Sequence, residues 1–171
     1  MMYLGCDPGN DGGLSLIDRH GNAIEYERMP DVVGIDRFFR DAFHAGGPRI
    51  VCIFEEHKGG KEGESNAAVH KSAGRYLGMI QMACTGYGIK LICITPQEWK
   101  AHFGLINRRE KGAPKLSDKE KRAAAKAASI RLCKEHFPGV NLLASPRCTN
   151  EHDGIAESLL LAQFGRMKRL S

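Results

Sequence analysis

The chain has 171 residues, 42% hydrophobic and 26% charged, with a formal net charge of +5. That length suits a single domain spanning 1–171, and the composition excludes a disordered chain. No apolar run approaches the ~20 residues of a membrane span, and no basic segment precedes a long apolar one at the N-terminus, so a cytoplasmic protein is expected.

The first elements read as a β-meander. Met2–Asp7 is an apolar run ending on a carboxylate, followed by the turn Pro8-Gly9-Asn10-Asp11-Gly12 and a second apolar run, Gly13–Ile17. The cluster Asp18-Arg19-His20-Gly21-Asn22 predicts another turn, with Ala23–Arg28 as the third strand. Ile35, Phe38, Phe39, Ala42 and Phe43 then recur at helical spacing up to Gly46-Gly47-Pro48, as a crossover helix would. Ile50-Val51-Cys52-Ile53-Phe54 is continuously apolar, fits a strand buried on both faces, and ends on Glu55-Glu56.

Residues 57–66 are polar and glycine-rich, which predicts a loop. Val69, Ala73, Leu77, Ile80 and Cys84 mark a helix of about five turns, on which Gly74 and Gly78 predict a closely packed neighbouring backbone. Ile89–Ile94 is the next strand, and Thr95-Pro96 caps a short helix, Gln97–Phe103, that carries the only tryptophan, Trp99. Residues 104–118 read as a basic loop, after which Asp118 is expected to cap a long Ala- and Lys-rich helix ending near His136. A final helix is expected from about Asn150 to Lys168.

Charge and cysteine usage narrow the class. Residues 97–135 carry eleven Lys/Arg against five Asp/Glu, whereas the rest carries fourteen against fifteen. A basic segment on a near-neutral body suggests a polyanionic partner. The six cysteines, Cys6, Cys52, Cys84, Cys93, Cys133 and Cys148, contain no CxxC pair. Cys6, Cys52 and Cys93 fall in runs that read as buried strands, so they are expected to act as small hydrophobes.

Acidic residues mark three separated places. They are the end of the first strand (Asp7), the end of the fourth (Glu55 or Glu56), and the start of the last helix (Asp153 and Glu157). Asp153, Glu157, Leu160 and Phe164 share one helical face, so two carboxylates lie on a stripe that should meet the core. Singly, each has an ordinary explanation: a turn cap, a solvated strand end, a first-turn acid favoured by the helix dipole. Together they would repel unless a cation joins them. Carboxylate oxygens without a His/Cys set select a hard ion, Mg²⁺ or Mn²⁺. Two such ions, about 4 Å apart, can activate a water and stabilise a phosphodiester leaving oxygen.

These residues resemble a known family. Leu4-Gly5-Cys6-Asp7-Pro8-Gly9, the apolar strand ending in Glu55, and His152-Asp153-Gly154-Ile155-Ala156-Glu157-Ser158-Leu159-Leu160 look like a RuvC-type Holliday junction resolvase of the phage and prophage branch. Thr95-Pro96-Gln97-Glu98-Trp99-Lys100 with Gly104-Leu105, and Lys126-Ala127-Ala128-Ser129 ahead of Phe137-Pro138, agree with it. The resemblance implies an α/β, RNase H-like fold: a five-stranded mixed sheet, its first three strands antiparallel, with helices on both faces. It implies a homodimer that binds a four-way DNA junction and makes paired symmetric nicks, leaving 5′-phosphate and 3′-hydroxyl ends, in recombination and repair.

Carried over by position, Asp7, Glu55, Asp153 and Glu157 match the metal-binding carboxylates, with two Mg²⁺ per subunit and Mn²⁺ as a substitute. Lys126 matches a lysine that meets the scissile phosphate. Glu56 is the alternate to Glu55; strand alternation points the two to opposite faces, and Glu55 follows the apolar run directly. Asp153 and Glu157 are four apart where better-known members space them by three; both spacings keep one face. His152 is either a surface histidine or an outer-sphere proton shuttle. DNA contacts are expected from Lys58 and Lys61 of loop 57–66, from Lys100, and from Arg108, Arg109, Lys111, Lys115, Lys119, Lys121 and Arg122 along the basic stretch.

Three other readings compete. An RNase H-like nuclease acting on flaps or branched replication DNA would use the same site. A non-catalytic junction-binding protein would have lost some of the acids. An actin-like phosphotransferase would need a second phosphate loop in a duplicated half, for which 171 residues leave no room.

Overall fold

The computed structural model describes residues 1–47, 49–56, 67–106 and 117–171, and among these the side chains of all but 67–73. Five strands form one sheet: β1 (Met2–Asp7), β2 (Gly13–Ile17), β3 (Ala23–Arg28), β4 (Ile50–Glu55) and β5 (Lys90–Ile94). Their order is β3-β2-β1-β4-β5. The β1–β2 and β2–β3 pairs are antiparallel, and β1–β4 and β4–β5 are parallel. This is the expected mixed α/β sheet with its first three strands antiparallel. The meander needs only tight turns, whereas each parallel step requires a crossover. Helices α1 (Val32–Gly46) and α2 (Ala67–Tyr87) supply those crossovers, and α3 (Pro96–His102), α4 (Asp118–His136) and α5 (Asp153–Met167) follow.

Side-chain alternation divides the core into two layers. Leu4, Cys6, Leu14, Leu16, Cys52 and Phe54 face α1 and α2, packing on Phe38, Phe39 and Ile80. Tyr3, Ile17, Val51 and Ile53 face the other way, onto Ile155, Leu159 and Leu160 of α5. From Gly154 to Gly165, α5 is buried except at half-buried Glu157. A helix enclosed on nearly all sides is a central element rather than a surface one.

Close approach of α5 to the sheet explains the small residues at its contacts. A Cβ on Gly5 would stand 1.9 Å from the Ser158 carbonyl oxygen, and one on Gly13 would stand 2.6 Å from that of Gly154. The glycines of the 9–13 turn divide by role. Gly12 and Gly13 admit neighbouring backbone, and Gly9 alone of them takes a left-handed φ, 137°.

Several local expectations are corrected. Gly74 and Gly78 are exposed and a Cβ on either would meet nothing within 4 Å, so no backbone packs there in the described fold. Cys6 and Cys52 are buried as expected, whereas Cys93 is exposed because β5 is an edge strand; all six cysteines are free. Ser117, not Asp118, caps α4, through a reciprocal box with Glu120 that satisfies two terminal backbone donors. The last helix starts at Asp153 because His152 is its N-cap, its Nδ1 accepting from the Ile155 N–H at 3.3 Å. Among the described residues no helix is long and apolar enough to cross a membrane.

Candidate metal centre

Parallel pairing of β1 with β4 runs in step from Met2 opposite Ile50 to Cys6 opposite Phe54. One residue further, Asp7 and Glu55 end neighbouring strands side by side. Both share the parity of Gly5 and Ile53, so both project toward α5, where Glu157 emerges one turn into the helix. Asp7, Glu55 and Glu157 each offer a carboxylate oxygen, and these atoms lie within 4.8 Å of one another. Glu56 has the opposite parity; its backbone N–H donates to the Ile94 carbonyl at 2.8 Å, and its charge acts on Cys93.

Asp153 does not join the three. Its carboxylate pairs with Lys126, with Nζ at 2.9 Å from Oδ2 and 3.1 Å from Oδ1. It is still near enough to act on Asp7. Lys126 therefore stands on α4 beside the acids, its own proton held more tightly than usual by the hydrogen bond to Asp153.

Two acids of the cluster are held by α3 and α4. Trp99 is wholly buried, and its Nε1 donates to Glu55 Oε2 at 2.6 Å. The neighbouring Lys100 Nζ donates to Glu157 Oε2 at 3.0 Å and lies 4.9 Å from the centre of the Trp99 ring. Ser129 Oγ donates to Glu157 Oε1 at 2.8 Å. Helix α3 can present consecutive residues this way because its start is fixed by a Thr95–Glu98 capping box with Pro96 in the first turn.

The electrostatics follow from this crowding. Burial first, then the Glu157 and Glu55 charges, push the Asp7 carboxyl well above its ordinary range, against the opposing pull of Lys100. Burial alone would lower Lys100, but Glu157 and Glu55 outweigh it and hold the ammonium above its usual value. Burial lowers His152, whose ring is spent on the helix cap. Three converging oxygen donors whose mutual repulsion raises a carboxyl are a donor set that a hard divalent cation relieves. The residues present thus fit such an ion.

The expected DNA-contact residues divide. Lys119, Lys121 and Arg122 are exposed on the N-terminal half of α4, with Lys121 paired to Asp118 at 2.8 Å. Lys100, expected on the DNA surface, is turned into the acidic cluster instead. Lys58, Lys61, Arg108, Arg109, Lys111 and Lys115 lie outside the described residues. Trp99 and Ser129 support Glu55 and Glu157 from the motifs Thr95-Pro96-Gln97-Glu98-Trp99-Lys100 and Lys126-Ala127-Ala128-Ser129, the sequence signal that could have revealed them.

Comparisons with known proteins bear on the fold. No family model matches the chain, and no curated protein matches it. Among solved structures, RuvC of Thermus thermophilus in complex with a Holliday junction substrate is similar at a TM-score of 0.56 and 18% identity, covering 99% of this chain and 96% of that one. A second Thermus thermophilus RuvC structure gives the same TM-score and identity, covering 98% and 97%. This chain has a RuvC-like fold. At that identity the likeness speaks for the fold alone, along nearly the whole of both chains.

Proposed function

We propose that this protein is a structure-selective endonuclease that resolves four-way DNA junctions. The observation that carries it is the meeting of Asp7, Glu55 and Glu157 at the C-terminal ends of two central strands, within a fold like that of RuvC from end to end. In this reading Asp7, Glu55 and Glu157 hold Mg²⁺ or Mn²⁺, with Asp153 at the margin of the site. The ion would supply an activated water and charge stabilisation for phosphodiester hydrolysis. Trp99 and Ser129 orient Glu55 and Glu157. Lys126, more than half exposed beside Asp153, would meet a phosphate entering from solvent.

The exposed Lys119, Lys121 and Arg122 would follow the DNA backbone, which makes binding strongly salt-dependent. Paired nicks across a two-fold junction call for two sites, hence a homodimer. On the motifs given above we place the protein in the phage-like branch, and we propose that it acts as a single nuclease domain in the cytoplasm.

Cleavage of four-way, Y-shaped and linear duplexes of matched sequence tests this reading. The junction should be cut fastest, in symmetric pairs. Asp7→Asn should keep junction binding and lose cleavage by about three orders of magnitude or more. Equal cutting of linear duplex would leave an unselective nuclease.

A further inference from the structure

Lys100 is an unusual neighbour for three converging carboxylates. Its Nζ touches Glu157 at 3.0 Å, and the two side chains retain 29% and 13% of their exposure. Glu157 does not depend on it for a partner, because Ser129 already holds the other oxygen at 2.8 Å. The contact also differs from that of Trp99. A buried indole donating to Glu55 is fixed by packing, whereas a lysine ammonium rides on a flexible four-carbon stem and can move without disturbing the core. The Trp99 ring beneath it gives the ammonium a second, weaker place to rest.

A divalent ion and an ammonium cannot both stand close to Glu157 without strong repulsion in a partly buried site. We infer that Lys100 is a built-in counter-ion, occupying at Glu157 part of the place a divalent cation takes and displaced from it when the cation binds. The inference rests on the metal reading proposed above. Lys100 then offsets the charge of the carboxylate cluster in metal-free protein and weakens metal binding. That makes it a positioning and tuning residue for the ion, not a contact to DNA in the resting protein.

The test is Mn²⁺ binding to the full chain without DNA, followed by electron paramagnetic resonance and calorimetry. Lys100→Met keeps the apolar stem and removes the charge; Lys100→Gln keeps hydrogen bonding and removes the charge. Both should bind Mn²⁺ at least about tenfold more tightly than wild type. Lys100→Arg should stay weak. Arg131→Met, which removes an exposed charge from α4, should leave the affinity unchanged.

Unchanged or weaker binding by both neutral variants would overturn the inference while leaving the metal site standing. Equal tightening by Arg131→Met would overturn it as well, since the effect would then be the general field of the protein. Absence of Mn²⁺ binding in every variant, or binding that survives Asp7→Asn, would overturn the metal reading itself.

Discussion

Trp99→Phe tests whether the site is held from behind by α3. The substitution keeps a buried ring and deletes Nε1, which donates to Glu55 Oε2 at 2.6 Å. Glu55 is 2% exposed, so water cannot readily replace that donor. A hydrogen bond to a charged group contributes about 1.5–3 kcal/mol, and the smaller ring adds a packing loss of about 1 kcal/mol. The expected destabilisation is therefore about 2.5–4 kcal/mol in metal-free protein.

Because Trp99 is the only tryptophan, urea unfolding should be followed by far-UV circular dichroism in both proteins. A double-mutant cycle with Glu55→Gln separates the two contributions. The pair should couple by about 1 kcal/mol or more, since a neutral amide accepts more weakly than a carboxylate. Additive losses, with no coupling, would show that the indole contributes only packing.

Gly5→Ala puts a methyl 1.9 Å from the Ser158 carbonyl, so α5 must move off β1; a loss of at least about 3 kcal/mol, or no soluble protein, is expected in urea unfolding or expression trials. Ser117→Ala removes one half of the capping box of α4 and should cost about 1 kcal/mol, read as reduced helix content and stability. Asp18 accepts hydrogen bonds from Asn22 and from the His20 backbone, which hold its carboxyl below the ordinary range despite some desolvation. A lowered folded value means the contribution is present above the unfolded value of about 3.9 and is lost as pH falls through the folded one. The stability gap between wild type and Asp18→Ala should accordingly be largest near neutral pH and close under strong acid.

Local pattern was enough for much of this architecture. The continuous apolar run ending at Glu55 fitted a strand buried on both faces, and β4 is flanked by β1 and β5. Turn residues at 8–12 and 18–22 bound strands of the predicted length, and Pro96 after Thr95 starts a helix. Pattern misled where burial depends on distant neighbours. Cys93 looked buried because its run is apolar, yet the strand lies at the sheet edge. Gly74 and Gly78 looked like a packing groove, yet no part of the described fold meets them.

Three of the acids could be named from the sequence because a carboxylate ending an apolar strand, or one on the core face of a helix, is costly without a partner. How they meet was not legible. It depends on the parallel register of β1 with β4, which sets Asp7 beside Glu55, and on glycines that let α5 approach close enough to bring Glu157 to them. The diversion of Asp153 to Lys126, and the placing of Trp99 and Lys100 on two different acids, arise from α3 and α4 packing against α5. Periodicity and composition act over a few residues and decide elements and faces. Register, helix approach and ion pairing between residues dozens of positions apart are decided only when the chain closes on itself, because there desolvation and charge repulsion select which side chains remain together.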